Sequence, residues 1–288
     1  MASTIDERLR AWGEGRAFAD LSSWRKLVVE GADALSWLQD LLSADVASLT
    51  PGIAGPSLVL SPTGRVRAVL WVARDGDAVW LLQTPGQPES VGRILDPYIL
   101  SADVRLIERT DDVDFLAVPR VAAGLLEGAS MSPSWLGDAT DVLVPAGDAR
   151  ATLTGAGIAP LGEEAVEALR IVRGRPRMGV DVGPEHLAAE AGMDPAIAHD
   201  KGCFLGQESV AKVRNLGHPP SVLLHVRGDG PVRAREAVLD DDAEVGIVTS
   251  AAVVGGGSVA FVRVRWEARE RPLASRGGTA LSAVPPVA

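Results

Sequence analysis

The sequence predicts an α+β protein of two or three packed units, the last of which is a small β-barrel or β-sandwich. The chain has 288 residues, more than one compact core of ordinary size requires. In the first half, apolar residues recur at helical spacing. Beyond Pro219 they occur instead in short β-type runs that are bounded by Gly or Asp.

After a polar N-terminal arm, the first predicted elements are a strand and a helix. The run "KLVVEG" (26–31) is typical of a short buried strand. In "ADALSWLQDLLSADVASL" the predicted helix has one apolar face, which carries Leu35, Leu38, Leu41 and Leu42. Asp33 is its predicted N-cap, and the pair Pro51-Gly52 ends the segment that follows.

A β meander and a second helix are predicted next. The segment 56–83, "PSLVLSPTGRVRAVLWVARDGDAVWLLQ", has strands rich in Val, Leu and Trp, with turns at "SPTG" and "RDGD". "PESVGRILDPYIL" predicts a helix, and strands are expected near "DVRLIER" and "VDFLAV". Residues 122–147 mix small residues with Gly and Pro, and we expect a variable connection there.

The last third contains one more helix and the β unit. "GEEAVEALRIVRG" has acidic residues in its first turn and Arg in its last, as the helix dipole favours. The runs "SVLLHVR", "EVGIVTS" and "SVAFVRVRW" predict the strands of the barrel. "SRGGTALSAVPPVA" is low in core residues and is expected to fray. The predicted domains are therefore an α/β region over 1–215, a barrel over 216–272 and a flexible tail over 273–288.

Composition predicts a cytoplasmic globular protein. Hydrophobic residues make up 47% and charged residues 23%, and we find neither a secretory signal nor an apolar run long enough for a membrane. One cysteine excludes an internal disulfide and suits a reducing compartment. The formal net charge of −10 argues against broad contact with nucleic acid, including direct binding of tRNA, but leaves room for a local basic pocket.

The only cysteine, Cys203, lies in the polar, glycine-bounded stretch "DKGCFLGQESVAKVRN". Lys201 precedes it by two residues, and "GQESVAKV" is expected to open a helix. A thiol near a cation and a helix N-terminus has its thiolate stabilised. The alternative is a small residue that fills a tight loop, and residue types alone leave both interpretations open.

Two other kinds of cysteine site have weaker support. A Cys–His catalytic pair has three nearby candidates in His199, His218 and His225, but no motif for an acid-oriented nucleophile accompanies them. The same spacings match no zinc pattern, and one thiolate cannot hold an iron–sulfur cluster by itself. We therefore predict no resident metal.

Three further features are candidates for ligand binding. Four arginines within eight residues suit an anionic ligand, although a solvated helix end explains them equally well: Arg170, Arg173, Arg175 and Arg177. Trp24 offers a flat face for a heterocycle, but a tryptophan more often fills a core. Glu190, among small residues in "AAEAGMD", has a carboxylate suited to the two parallel N–H donors of an aminopyrimidine edge; a surface glutamate is the alternative.

Together these stretches resemble the YgfZ family of folate-binding proteins, which are related to the T-protein (aminomethyltransferase) of the glycine cleavage system. "KGCFLGQE", followed by Lys212, is similar to the family signature. "LSSWRKLVVEGADALSWLQDLLSADVASLTPG", "LSPTGRVRAVLWV", "RGRPRMGVDVGPEHLAAEAGMD" and "VGIVTSAA" resemble further family segments. The resemblance covers most of the chain from Leu21 to Trp266, and residues 122–147 contribute nothing to it.

The resemblance implies an aminomethyltransferase-like fold, in which small α/β units surround a central channel that binds folate and a β-barrel follows. It implies that Cys203 and Lys201 are functional, within a motif that includes Gly202, Gly206, Gln207 and Glu208. It also implies tetrahydrofolate, or a one-carbon-substituted folate, as the cofactor, with Trp24 and Glu190 as binding residues and Arg170 near the glutamate tail.

One departure from the related T-proteins concerns catalysis. T-proteins carry an aspartate pair in the "GG-x-x-DD" hairpin, whereas this chain has "GRVRAV", with Arg65 at the second glycine and Ala68 and Val69 at the aspartate positions. Neither of the last two side chains can exchange a proton, which argues against the glycine cleavage reaction.

The implied function is support of iron–sulfur cluster assembly or repair in client enzymes, with any effect on tRNA modification being indirect. The expected partners are folate and iron–sulfur client or assembly proteins, without nucleic acid or membrane. Two alternatives remain: a folate-dependent one-carbon transferase with another acceptor, and a non-catalytic adaptor.

Overall fold

A computed structural model describes residues 4–284, and within this range the chain forms two five-stranded sheets and a closed barrel. The first sheet has the order β10 (Ala159–Pro160), β1 (Ala17–Asp20), β7 (Val113–Val118), β9 (Thr140–Pro145) and β8 (Ser130–Pro133). Only the β10–β1 pair is parallel.

The second sheet is inserted in the chain between β1 and β7. Its order is β3 (Ala54–Leu60), β4 (Val66–Asp75), β5 (Ala78–Gln83), β2 (Arg25–Glu30) and β6 (Arg105–Glu108), with every pair antiparallel. The predicted strand 26–31 and the predicted meander are both present here. The "SPTG" turn joins β3 to β4.

The barrel closes in the order β11 (Ser221–Gly228), β14 (Gly257–Arg265), β13 (Ala243–Val254), β12 (Ala237–Asp240), β15 (Leu273–Ser275) and β16 (Ala280–Ala283). The prediction of a flexible tail over 273–288 is wrong for residues 273–283, because β15 and β16 lie there and complete the barrel. Short strands with small residues carry little sequence signal, yet β16 pairs with both β15 and β11. Residues 285–288 lie outside the described residues.

The α-helices in the described range are α1 (Ile5–Gly13), α2 (Ala34–Leu41), α3 (Val91–Leu95), α4 (Ala149–Gly155), α5 (Glu163–Val172) and α6 (Gln207–Leu216). Short 3-10 turns cover Asp96–Tyr98, Arg120–Leu125, Ala188–Glu190, Asp194–Ala196 and Trp266–Ala268. Asp33 precedes α2 as predicted, but its carboxylate accepts from the backbone N–H of Asp103 at 2.8 Å and does not cap the helix.

The structure contradicts two expectations about irregular segments. The polar N-terminal arm contains α1, whose Thr4 closes a capping box with Glu7, and also β1. The expected variable connection over 122–147 contains β8 and β9, and the latter is buried along most of its length. Both segments mix Gly or charged residues with apolar ones, which weakens the strand pattern in the sequence. Their strands β1, β8 and β9 are therefore recognised from the pairing with neighbouring strands.

Strand β4 separates two parts of the interior. Ala68, Leu70 and Val72 point into the core beneath α2 and α3. On the opposite face, Val69 packs toward α5 and the barrel, and Trp71 packs in the cluster that contains Trp12, Trp24 and Trp135. The strand alternation therefore aims Val69 and Trp71 at the region where the units meet.

Candidate functional site

The loop that carries Cys203 is pinned along the C-terminal end of α2. The backbone N–H of Ala198 donates to the Ser43 carbonyl at 2.8 Å, and that of Leu205 donates to the Asp40 carbonyl at 2.9 Å. Cys203 itself is exposed. The sequence thus holds an accessible thiol on a loop that is fixed at both ends.

Lys201 anchors this loop. Its Nζ donates to three carbonyls around the end of α2, those of Gln39 (2.6 Å), Leu42 (2.6 Å) and Ala44 (2.7 Å). Burial lowers the Lys201 pKa to about 8, against the opposing charges of Asp45 and Asp40. All three donors of the ammonium are therefore used for anchoring, and none is left to contact the Cys203 thiolate that this cation was expected to stabilise.

A close contact with the β3–β4 turn explains the second glycine of the motif. Gly206 has φ +82°, and a Cβ there would lie 2.5 Å from the Ser61 carbonyl oxygen. From the other side, a Cβ on Gly64 (φ +75°) would lie 2.5 Å from the Ser209 Cβ. Only glycine satisfies both the conformation and the approach at these two positions. Gly202, by contrast, faces open space, and nothing in the structure explains it sterically.

The predicted helix after the motif is present as α6, and it begins at Gln207. The Gln207 side chain turns back and accepts from the Phe204 N–H at 3.3 Å, while Glu208 is exposed in the first turn, where the helix dipole favours a carboxylate. A cavity of about 590 Å³ opens beside the thiol. It is lined by Asp40, Leu41, Pro62, Tyr98, Cys203, Phe204, Leu205, Gly206, Gln207 and Glu208.

Arg170 does not face a ligand. Its side chain is 2% exposed and is held by Glu167 (2.6 and 2.8 Å), by Asp181 (2.7 Å) and by the Arg175 carbonyl (3.0 Å). Asp181 in turn accepts from the hydroxyls of Thr249 and Ser250, both at 2.6 Å. The geometry therefore gives Arg170 a role in joining α5 to the barrel, which differs from the expected contact with a glutamate tail.

Glu190 is also occupied. It is 4% exposed, and its carboxylate accepts from the Leu187 N–H at 2.9 Å and from the Ser221 hydroxyl at 2.5 Å. Its backbone carbonyl accepts from Arg263 at 3.0 Å. Both carboxylate oxygens thus have partners within the chain, so the expected grip on an aminopyrimidine edge would require these bonds to break.

Trp24 lies in a core of aromatic rings. Its ring meets those of Trp135 and Phe115 edge to face, with centroids 4.7 and 5.4 Å apart. Trp135 also accepts, through its carbonyl, a 2.8 Å bond from Nε of Arg175, whose guanidinium lies 5.4 Å from the ring centre of Trp71. We call Trp24, Trp71, Trp135, Arg175 and Asp141 the tryptophan cluster.

Asp141, on β9, is the member of the tryptophan cluster that the sequence analysis missed. It is 2% exposed; Oδ2 accepts from the Trp135 N–H at 2.8 Å, while Oδ1 is buried without a partner. Burial raises the Asp141 pKa to about 7, although Ser134, the Trp135 N–H and Arg175 act in the opposite direction. A buried carboxylate oxygen without a donor is costly, and such atoms are uncommon in native proteins.

A second unpaired polar atom lies in the same cluster. The indole Nε1 of Trp71 is buried without an acceptor. The cluster thus offers a carboxylate acceptor, an N–H donor and several aromatic faces, which is the donor set that an aminopyrimidine ring requires. Such unpaired groups could pair with the pterin end of a folate, whereas both carboxylate oxygens of Glu190 already have partners.

The signal for Asp141 was present in "TDVLVP", a single carboxylate within an apolar strand. This carboxylate lies within 122–147, where the sequence predicts a variable connection and the structure has β9. Across residues 4–284, no group of three or more His, Cys, Asp or Glu side chains is placed to hold a metal ion. No helix in this range is both long and apolar enough to cross a membrane.

Replacing Lys201 by Met is expected to loosen the Cys203 loop and to lower the free energy of unfolding by about 1–3 kcal/mol, because three carbonyls lose their donor. The urea midpoint measures the stability, and hydrogen exchange of the amides in 198–205 measures the loop. Lys212→Met, on the exposed side of α6, is the matched control. Unchanged exchange in the Lys201 variant would contradict the anchoring role.

Comparison with known proteins finds similarity to aminomethyltransferases. Residues 1–125 match the family model of the GCVT N-terminal domain. The chain is 26% identical to the aminomethyltransferase of Alcanivorax borkumensis over 80% of its own length and 72% of that protein. It is also 26% identical, over 85% of its own length, to the Arabidopsis thaliana protein "Putative transferase At1g60990, chloroplastic". The chain spans 64% of that relative's length, which is less than two thirds.

A solved structure has the same fold. The glycine cleavage system aminomethyltransferase T from Bartonella henselae superimposes with a TM-score of 0.82, covering 97% of this chain and 89% of that one at 22% identity. The predicted fold class, small α/β units with a C-terminal barrel, is therefore confirmed. The finer placement in the YgfZ family stays a prediction.

Proposed function

We propose that this protein binds a reduced folate and uses the Cys203 thiol to support iron–sulfur cluster assembly or repair in client enzymes of the cytoplasm. The observation that carries the proposal is the accessible thiol of Cys203, fixed by Lys201 beside a cavity of about 590 Å³. A single thiolate cannot hold a cluster alone, so the remaining ligands come from the client or the assembly protein.

The tryptophan cluster is the proposed folate site. Asp141 would accept the paired N–H donors of the pterin edge through its unpaired oxygen, and Trp71 would donate its free indole N–H. Trp24 contacts the Trp135 ring edge to face and would therefore act on the ligand through this neighbour. The expected roles of Glu190 and Arg170 in folate binding are less well supported, because both side chains are occupied within the chain.

The hairpin supports a reaction other than glycine cleavage. Ala68 is fully buried in the core beneath α2, and Val69 is buried on the opposite face of β4. These positions offer no group that could take up or release a proton beside a bound folate. When bound, the folate would supply the one-carbon chemistry, and the chain would supply orientation and the separate thiol.

Cys203→Ser is expected to abolish support of client enzymes while leaving folate affinity unchanged. Serine keeps the size of the side chain but lacks a thiolate, and Cys203 is outside the tryptophan cluster. The measurement combines activity of iron–sulfur enzymes in a deletion strain with calorimetric titration of the purified variant with tetrahydrofolate. Ala211→Ser, also on the exposed surface, is the control.

Two results would contradict the proposal in different ways. Full client activity with Cys203→Ser would remove the thiol from the mechanism. Failure of the wild-type protein to bind tetrahydrofolate would remove the cofactor and favour the non-catalytic adaptor.

A folate-dependent transferase with another acceptor is the second candidate, and the name of the Arabidopsis relative favours it. Catalytic turnover of methylene-tetrahydrofolate with an amine acceptor would support the transferase, whereas a stoichiometric complex without turnover supports the first proposal. Direct binding of nucleic acid is not part of either candidate, since the formal net charge is −10.

A further inference from the structure

Arg175 is the one member of the arginine group 170–177 that forms no ion pair within residues 4–284. The other three each have a carboxylate partner: Arg170 with Asp181 (2.7 Å), Arg173 with Asp138 (2.9 Å) and Arg177 with Glu167 (3.0 Å). Arg175 is partly buried, and its two terminal nitrogens have no hydrogen-bond partner among the described residues. Buried arginines are normally paired, so these free donors distinguish Arg175 from the exposed arginines of the surface.

A single residue, Trp135, holds both Arg175 and Asp141. Its N–H donates to Oδ2 of Asp141 at 2.8 Å, and its carbonyl accepts from Nε of Arg175 at 2.8 Å. Burial lowers the Arg175 pKa, and the negative charge of Asp141 opposes this shift, yet the two side chains form no ion pair. The carboxylate and the guanidinium are therefore fixed close to each other, and each keeps atoms free for a ligand.

The free atoms are one acceptor and two kinds of donor. Oδ1 of Asp141 is buried without a partner, and so is Nε1 of the Trp71 indole. The Arg175 guanidinium lies 5.4 Å from the ring centre of Trp71. Because a guanidinium keeps its proton in proteins, Arg175 acts only as a donor. An acceptor close to a permanent donor matches a ligand edge on which donors stand beside an acceptor.

We propose that Arg175 determines the specificity of the tryptophan cluster, by donating to the oxo oxygen of a 2-amino-4-oxopyrimidine ring whose two N–H donors bind Asp141. The inference rests on the proposed function, because it states which edge of a folate the cluster recognises. In such a ring the 2-amino group and N3–H are adjacent donors, and the 4-oxo oxygen beside N3 is an acceptor. This order of donor, donor and acceptor is complementary to Asp141 followed by Arg175.

A 2,4-diamino ring presents the wrong groups to this pair. Its N3 carries no proton, so Asp141 loses one donor, and its 4-amino group is a donor that faces the donors of Arg175. The ring regains two adjacent donors when N1 takes up a proton, but it is then a cation close to the Arg175 guanidinium. A ligand that leaves the polar groups of a site unpaired is rejected strongly. The cluster is therefore expected to select 4-oxo rings over 4-amino rings.

The test compares two sources of this edge, reduced folates and guanine nucleosides. The protein is titrated calorimetrically with tetrahydrofolate and with its 4-amino counterpart, tetrahydroaminopterin. Guanosine and 2,6-diaminopurine riboside form the second pair, with the same exchange of an oxo for an amino group. The quantity measured is the ratio of the two dissociation constants within each pair. A loss of packing weakens both members alike, so this ratio reports on recognition of the edge.

In the wild type, the oxo member of a pair is expected to bind on the order of a hundredfold more tightly than the amino member. Arg175→Met should lower this ratio about tenfold, as expected for one hydrogen bond to a charged group, by weakening the oxo member. Arg177→Met is the matched control and should leave the ratio unchanged, because Arg177 pairs with Glu167 at 3.0 Å. The wild-type ratios test the proposal even where a variant fails to fold.

Equal binding of the two members of a pair, or a ratio that Arg175→Met leaves unchanged, would overturn this proposal. Tetrahydrofolate binding, and with it the proposed function, would then still stand. A high ratio for the guanosine pair without any binding of tetrahydrofolate would instead support edge recognition by Arg175 and remove folate from the function. Failure of all four compounds to bind would overturn both proposals.

Discussion

Asp141→Asn is expected to stabilise the protein at pH 8 and to weaken tetrahydrofolate binding on the order of a hundredfold. The stabilisation arises because the ionised carboxylate is buried with one oxygen unpaired, whereas an amide is uncharged and costs less to bury. The weaker binding arises because asparagine offers one acceptor where the pterin edge presents two donors. Thermal unfolding and calorimetric titration measure the two effects.

The stability gain has a defined pH dependence. Asp141 titrates near pH 7 in the folded protein, above its ordinary value of 3.8, so between these values the folded state holds more protons than the unfolded state. The contribution of Asp141 to the free energy of unfolding of the wild type is therefore fully present below pH 3.8. It is lost as the pH rises through about 7. The advantage of Asp141→Asn should be absent near pH 4 and full above pH 7.

Glu190→Gln is the matched control, since it also neutralises a buried carboxylate. Both oxygens of Glu190 already have partners, so this variant should lose stability and keep its folate affinity. If folate affinity were instead lost only in Glu190→Gln, the pterin site would be at Glu190, as the sequence predicts.

Arg170→Ala is expected to lower the free energy of unfolding by about 3–5 kcal/mol, because it leaves Asp181 charged and buried without its cation. Arg105→Ala, at an exposed pair with Glu30, should change it by less than about 1 kcal/mol. Urea denaturation measures both. A stable Arg170→Ala protein that has lost folate binding would instead support the expected contact with the glutamate tail.

A double-mutant cycle separates the pair from the rest of the network. Asp181→Asn alone should be destabilising, since Asp181 holds Arg170, Thr249 and Ser250 together. In the Arg170→Ala background the same change should cost less, because it then removes an unpaired charge. Additive effects would show that the two side chains do not interact as the geometry indicates.

The fold was largely predictable wherever one segment carries its own signal. The β3–β4 hairpin and α2 follow from alternation and helical spacing over short windows, and α6 follows from the motif that opens it. Strands β8, β15 and β16 have only three or four residues, and β9 lies in a segment that contains Gly and Pro, so all four were missed. Strand β9 pairs with β7 and β16 pairs with β11, both of which are distant in the sequence. Strand pairing of this kind is a property of the assembled sheet.

For the candidate site, the sequence by itself determined which residues are chemically special. It singled out Cys203, the motif around it that includes Gly206, and the absence of both hairpin carboxylates. Only the tertiary structure decided what the charged residues do: Lys201 binds carbonyls, Arg170 and Glu190 are satisfied internally, and Asp141 keeps a free oxygen. The reason is physical, since a charge acquires its role from the partners that folding brings within hydrogen-bond distance, and those partners lie far away in the sequence.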